Sequence, residues 1–130
     1  MHSIAQSNPA LANVVQLDMT RHRNLDKGNA SPGALGTDFA RLGIMIWPAL
    51  GRVSARAGTW NKHLEALNVA RNAVAHSDNG GFLRLQNLGY QSINLGVVRK
   101  WRRSLDSLAT AMDDVVGDYL VLLLGGPRPW

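Results

Sequence analysis

Residues 95–124 read LGVVRKWRRSLDSLATAMDDVVGDYLVLLL, and this stretch decides the fold class. Val97, Trp101, Leu105, Leu108, Met112, Val115, Tyr119 and Leu122 recur at alternating four- and three-residue steps. On a helix that spacing gathers apolar side chains into one stripe close to a heptad seam. Asn94 is placed to cap the start, and Gly125-Gly126-Pro127 ends the pattern. A long helix with one continuous apolar stripe packs along other helices, so the chain is expected to be all-α.

Working upstream, residues 82–92 are ambiguous. Phe82-Leu83-Arg84-Leu85 reads as a short strand or a helical turn, and Gly89-Tyr90 as a turn. Residues 77–81, rich in Asp, Asn and Gly, break the preceding helix. That helix starts at Thr59 or Asn61 and runs to about His76. Trp60, Leu64, Leu67 and Val74 mark its stripe, and Arg71 occupies the position completing it. A further helix begins at a Thr37 cap, with Asp38 in its first turn and Phe39, Leu42, Ile46, Leu50 and Val53 on one face. Pro48 should kink that helix or split it after Trp47. Residues 24–36, with Gly28, Ser31, Pro32 and Gly33, read as a loop. The first helix is expected over residues 9–23, with Asn8 as cap and Pro9 at its first position. Residues 1–7 and 125–130 are expected to be flexible tails. With no internal repeat and no dividing linker, the reading is a single domain over residues 1–130, an up-and-down bundle of about four helices.

Composition narrows the function classes. In 130 residues, 45% are hydrophobic, enough for a packed core. Lys and Arg total 14 against 9 Asp and Glu, a net charge of +5. That balance suits an anionic partner, nucleic acid above all, or a basic surface with no such partner. There is no cysteine, which excludes disulfides and thiolate metal sites. No His, Asp or Glu spacing resembles a metal site, no phosphate-cradling Gly-rich loop follows a strand, and no cofactor is expected. The longest apolar run, residues 119–124, falls far short of the ~20 residues that span a bilayer. The start lacks the pattern of a secretory signal. A cytoplasmic chain with no membrane partner is the expectation.

The chemistry concentrates in residues 65–81, EALNVARNAVAHSDNGG. Arg71, Asn72 and His76 stand within six residues at the end of a helix. Histidine titrates near neutrality and can move a proton, while an arginine fork matches phosphate oxygens. Each residue turns a helix by about 100°, so Arg71 and His76, five apart, diverge by roughly 140°. Two copies about a two-fold axis would let the pair converge, which makes a homodimer part of the expected site. The plainer alternative has Arg71 lying along the apolar stripe with its head in water, and Asn72 and His76 as ordinary helix-end residues. Downstream, Arg99, Lys100, Arg102 and Arg103 surround Trp101 at the start of the last helix. Cations there oppose the helix dipole. They form either a phosphate-contacting patch or a solvated face with Trp101 buried. His63 is expected at the surface, off the line of Trp60 and Leu64; His2 and His22 fall in exposed regions.

Residues 67–78, LNVARNAVAHSD, closely resemble the signature of HEPN-domain proteins: arginine, a polar residue, small or apolar residues, then histidine near a helix end in an all-α bundle. Arg71, Asn72 and His76 match in order. The resemblance is specific over about a dozen residues and loose over residues 37–124. It implies a HEPN-like bundle that dimerises with its motifs facing each other. It also implies metal-independent endoribonuclease activity, with Arg71, Asn72 and His76 catalytic. Ser77 and Asp78 would line the groove, and Arg99, Lys100, Arg102 and Arg103 would widen the RNA footprint. Family members serve as toxins paired with an antitoxin protein, in phage defence and in RNA processing. Others bind RNA or nucleotides without cleavage, which leaves a binding module or a structural dimerisation domain as alternatives. One toxin subgroup carries a tyrosine two residues after the histidine for modification by a partner. Asp78 stands there, so that regulation is not expected.

Overall fold

In a computed structural model, residues 9–28 and 30–130 are described. Residues 1–7, the Asn8 cap and Asn29 lie outside them. The described residues form six α-helices, one 3₁₀ turn and no strand. The helices are α1 (Pro9–Thr20), α2 (Pro32–Arg41), α3 (Ile46–Val53), α4 (Ala57–His76), α5 (Asn79–Asn87) and α6 (Leu95–Leu124). The chain is all-α as expected. The count is six rather than about four because one expected helix is two and an ambiguous segment is helical.

The long helix forms where its sequence says. Asn94 accepts the Val97 N–H at 3.0 Å, and Gly125, at φ 65°, closes the far end with its N–H on the Val121 carbonyl. Trp101 and Leu108 are buried on the expected stripe, with Val97, Leu105, Met112, Val115 and Tyr119 packed beside them. Leu122 is 84% exposed, so the stripe outruns the helices it packs against. Residues 125–130 fold back. Arg128 pairs with Asp114 at 3.0 Å and Asp118 at 2.7 Å, and lies over Gly117.

The loop expected over residues 24–36 ends earlier, because Ser31 rather than Thr37 is the cap. Its side chain accepts the Ala34 N–H at 3.3 Å, and Pro32 takes the first helical position. α2 stops at Arg41. Gly43 then turns the chain at φ 83°, where an added Cβ would lie 2.7 Å from the Tyr119 hydroxyl oxygen. Pro48 therefore falls in the first turn of α3, where its missing N–H costs nothing, and the split precedes Trp47 instead of following it. Asp38, expected near a helix start, is buried and reaches the 3₁₀ turn Leu25–Lys27. Its carboxylate accepts the Asn24 and Leu25 backbone N–H groups and the Asn24 amide, each at 3.0 Å. The Asn24 backbone bond leads the effects that hold its pKa below the ordinary carboxylate value.

α4 starts at Ala57 and changes buried face halfway. Ala57, Trp60 and Leu64 join Leu35, Ile46, Leu50 and Leu108 in one core cluster. From Ala66 onward a different face packs: Ala66, Val69 and Ala70 meet Leu85 and Trp101 in a second cluster. The stripe expected to run through Arg71 to Val74 stops near Leu67, and Val74 is exposed. Because the face rotates toward α6, His63 is buried instead of at the surface. Its Nδ1 lies 2.6 Å from Ser104 Oγ, tying α4 to α6 between the two clusters. Burial, then the charges of Lys100, Lys62 and Arg56, pushes its pKa below the ordinary histidine value.

Only Ser77 and Asp78 separate α4 from α5. Ser77 sits in the left-handed region at φ 49°, and the Asp78 N–H closes the helix on the Ala73 carbonyl. Asp78 then caps α5 by accepting the Gly80 N–H at 2.9 Å. Gly81 is buried against α4, where an added Cβ would stand 2.7 Å from the Ala73 Cβ. The segment that read as strand or turn is thus helical through Asn87, and Tyr90 meets Trp101 edge-on at 5.0 Å.

α1 stands apart. It ends at Thr20 rather than residue 23 and has no buried residue. Arg41 holds its end, donating to the Arg21 carbonyl at 2.7 Å and to the Asp18 carbonyl.

Candidate functional site

The second half of α4 carries every residue of the suspected motif on its exposed side. Arg71 lies on the continuation of the first-half stripe: the line through Trp60, Leu64 and Leu67 reaches it at the 3.6-residue period. What it meets there is the 3₁₀ segment of its own chain. Its Nη1 donates to the Gly28 carbonyl at 2.8 Å. Its Nε and Nη2 donate to Asn72 Oδ1 at 3.3 and 3.1 Å. A guanidinium has five N–H donors and these contacts use three, so two remain. Asn68, one turn earlier, reinforces this attachment. Its Nδ2 donates to the Ala30 carbonyl at 2.9 Å and the Leu64 carbonyl at 3.0 Å. Asn68 and Arg71 together strap Ala30 and Gly28 to α4. Sequence reading missed Asn68, and its position on the Asn72 face, four residues earlier, was the available signal.

Asn72 is thereby held beside Arg71 by two hydrogen bonds. His76 is exposed in the last turn of α4, and no hydrogen bond or ion pair engages it among the described residues. The helix brings Arg71 and Asn72 together and places His76 with Asn72 on one face, away from Arg71. Ser77 and Asp78 follow at once, but both act in the chain turn: Ser77 by its backbone, Asp78 as the α5 cap.

Beside this face runs a polar groove of about 470 Å³ between α2, α4 and α5. Glu65, Asn68 and Asn72 form its α4 wall, and Val69, Ala73 and Gly81 its floor. Arg84 closes one end, paired with Glu65 at 3.3 Å. A second recess of about 440 Å³, between α3 and α6, is mostly apolar, with Met45, Val53 and Leu122 on its walls. Among the described residues no three His, Asp or Glu side chains gather as a metal site, and no helix is long and apolar enough to cross a membrane.

Arg99, Lys100, Arg102 and Arg103 are exposed around buried Trp101, and none has an acidic partner among the described residues. Arg103 leans back on the Arg99 carbonyl at 3.4 Å, so these two share one outward face. After burial, Lys100 lowers the proton affinity of His63 together with Lys62 of α4 and Arg56 at the α4 cap. The basic patch thus extends across α6 onto α4. No family model, curated protein or solved structure matches the chain.

Proposed function

We propose that the chain is a HEPN-like RNA-cleaving domain whose site is completed by a second copy across a two-fold axis. The observation that carries this is the state of the motif: Arg71 and Asn72 locked together, with an exposed, unpartnered His76 one turn on. In the proposed reaction the RNA 2′-oxygen bonds to phosphorus and the P–O5′ bond breaks. One imidazole takes the 2′ proton, and a protonated one returns a proton to the 5′ oxygen. A two-fold pair of chains supplies both imidazoles. The free N–H groups of Arg71 hold the phosphate as charge builds on it, and Asn72 keeps that guanidinium in place. Arg99, Lys100, Arg102 and Arg103 add phosphate contacts along the strand. A role as a toxin or phage-defence component rests on the resemblance alone.

A second reading, an RNA-binding module that does not cut, is favoured by one observation: Arg71 already commits a donor to its own chain at Gly28. Cleavage of mixed RNAs separates the two. His76→Ala removes no hydrogen bond or ion pair among the described residues, so it should leave the fold and RNA affinity intact and reduce cleavage by at least ~10²-fold, the usual range for a general acid–base group. Binding without cleavage in the natural chain would establish the second reading. Light scattering checks the dimer, since a monomer that still cleaves would end the shared-site proposal.

A further inference from the structure

We infer that the groove between α2, α4 and α5 is a nucleobase-reading subsite, with Asn68 as a specificity residue. The inference rests on the RNA reading above for its biological context, but the groove is argued from its own chemistry. An asparagine amide can be turned either way, and here its partners decide. Arginine N–H groups can only donate, so the two bonds from Arg71 fix Oδ1 of Asn72 toward Arg71. The NH2 of Asn72 is then the edge left over. Carbonyls can only accept, so the Ala30 and Leu64 oxygens fix Nδ2 of Asn68. Its Oδ1 is left over. Neither the Asn72 NH2 nor the Asn68 Oδ1 has a partner among the described residues.

The two side chains stand four residues apart on one helix face, with Cβ atoms roughly 5–6 Å apart by helix geometry. The groove therefore offers a fixed donor and a fixed acceptor side by side. An RNA base presents the complementary pair on its edge, one N–H and one ring nitrogen or carbonyl oxygen. Val69 and Ala73 back the groove behind the two amides, both buried, so its accessible lining is mainly polar. Its volume, about 470 Å³, falls in the usual range for small-ligand sites, ~300–1,000 Å³. Arg71 thus has two roles: it faces the phosphate and orients the amide that reads the base. The first depends on a second copy, the second does not.

The test uses uncharged ribonucleosides, so that phosphate attraction plays no part. Adenosine, guanosine, cytidine and uridine are titrated into the full chain, with ribose as control, while the side-chain amide signals of Asn68 and Asn72 are followed by NMR. At least one nucleoside should shift both signals saturably, and ribose should not. Asn72→Asp keeps an oxygen for Arg71 but replaces the free donor by an acceptor, and should weaken the preferred nucleoside at least tenfold. If none of the four moves these signals, or if Asn72→Asp binds equally well, the subsite is refuted, whatever the cleavage assay gives. Conversely, nucleoside binding by a chain that never cuts RNA would keep the subsite and end the ribonuclease reading.

Discussion

His63 and Ser104 illustrate how one hydrogen bond reports on the core. The imidazole is buried between the two clusters, and burial and nearby cations lower its pKa. Between that lowered value and the ordinary 6.5, the unfolded chain binds a proton that the folded chain refuses. Stability is then complete above about pH 6.5 and declines as the pH falls from there toward the folded value. Thermal melts of the natural chain and of His63→Gln should therefore diverge in their pH dependence below about pH 6.5, the variant lacking this component. Ser104→Ala leaves the ring without its partner, and a loss of about 1–3 kcal/mol in urea unfolding is expected. Sequence alone could not place His63 inside. It lies off the line of Trp60 and Leu64, and only the later rotation of the α4 face buries it. Arg71 was legible as an arginine at a stripe position. That it meets Gly28 of its own chain was not, because a contact 43 residues apart leaves no local trace.

At the level of elements, the signals that survived were caps. Asn94 and Gly125 bound α6 as read, because cap chemistry is local and a single side chain decides it. Ser31-Pro32 is an equally strong start signal, masked by the surrounding glycines, which read as loop. α5 was illegible for a physical reason. Two glycines in its first turn argue against a helix, yet Asp78 caps it and Gly81 lets it touch α4 at Ala73. Tertiary contact supplies what propensity withholds. Gly81→Ala gains propensity but places a methyl 2.7 Å from the Ala73 Cβ and 3.2 Å from its Cα. A net loss of about 1–3 kcal/mol in chemical unfolding is expected, and with it a displaced groove floor. A stabilised Gly81→Ala variant would show that α5 can move away freely.

For the whole molecule, the all-α class was legible from the α6 stripe, while the strap at Gly28 and Ala30 and the groove beside it were not. Both are assembled from segments distant in sequence. The cations around Trp101 were legible as a cluster because they are adjacent in sequence, whereas Lys62 and the pairs that Arg84 and Arg128 make were not. Arg99 and Arg103 share an outward face and have no acidic partner among the described residues. If they contact phosphates, the double variant Arg99→Gln with Arg103→Gln should lower RNA affinity and reduce the slope of log affinity against log salt by about two. Filter binding at several salt concentrations measures it, and an unchanged slope would place RNA elsewhere.

α6 carries Arg99, Lys100, Arg102 and Arg103 in its first half, and Asp113, Asp114 and Asp118 in its second, with Asp106 between the two groups. Its side-chain charges point the same way as its peptide dipoles, so the two moments add instead of cancelling. A polyanion at a distance therefore exerts a torque as well as a pull. For α6 that torque favours approach by its first turns, where Arg99 and Arg103 stand. This alignment reaches about one Debye length, ~8 Å at physiological ionic strength, and shortens as salt rises.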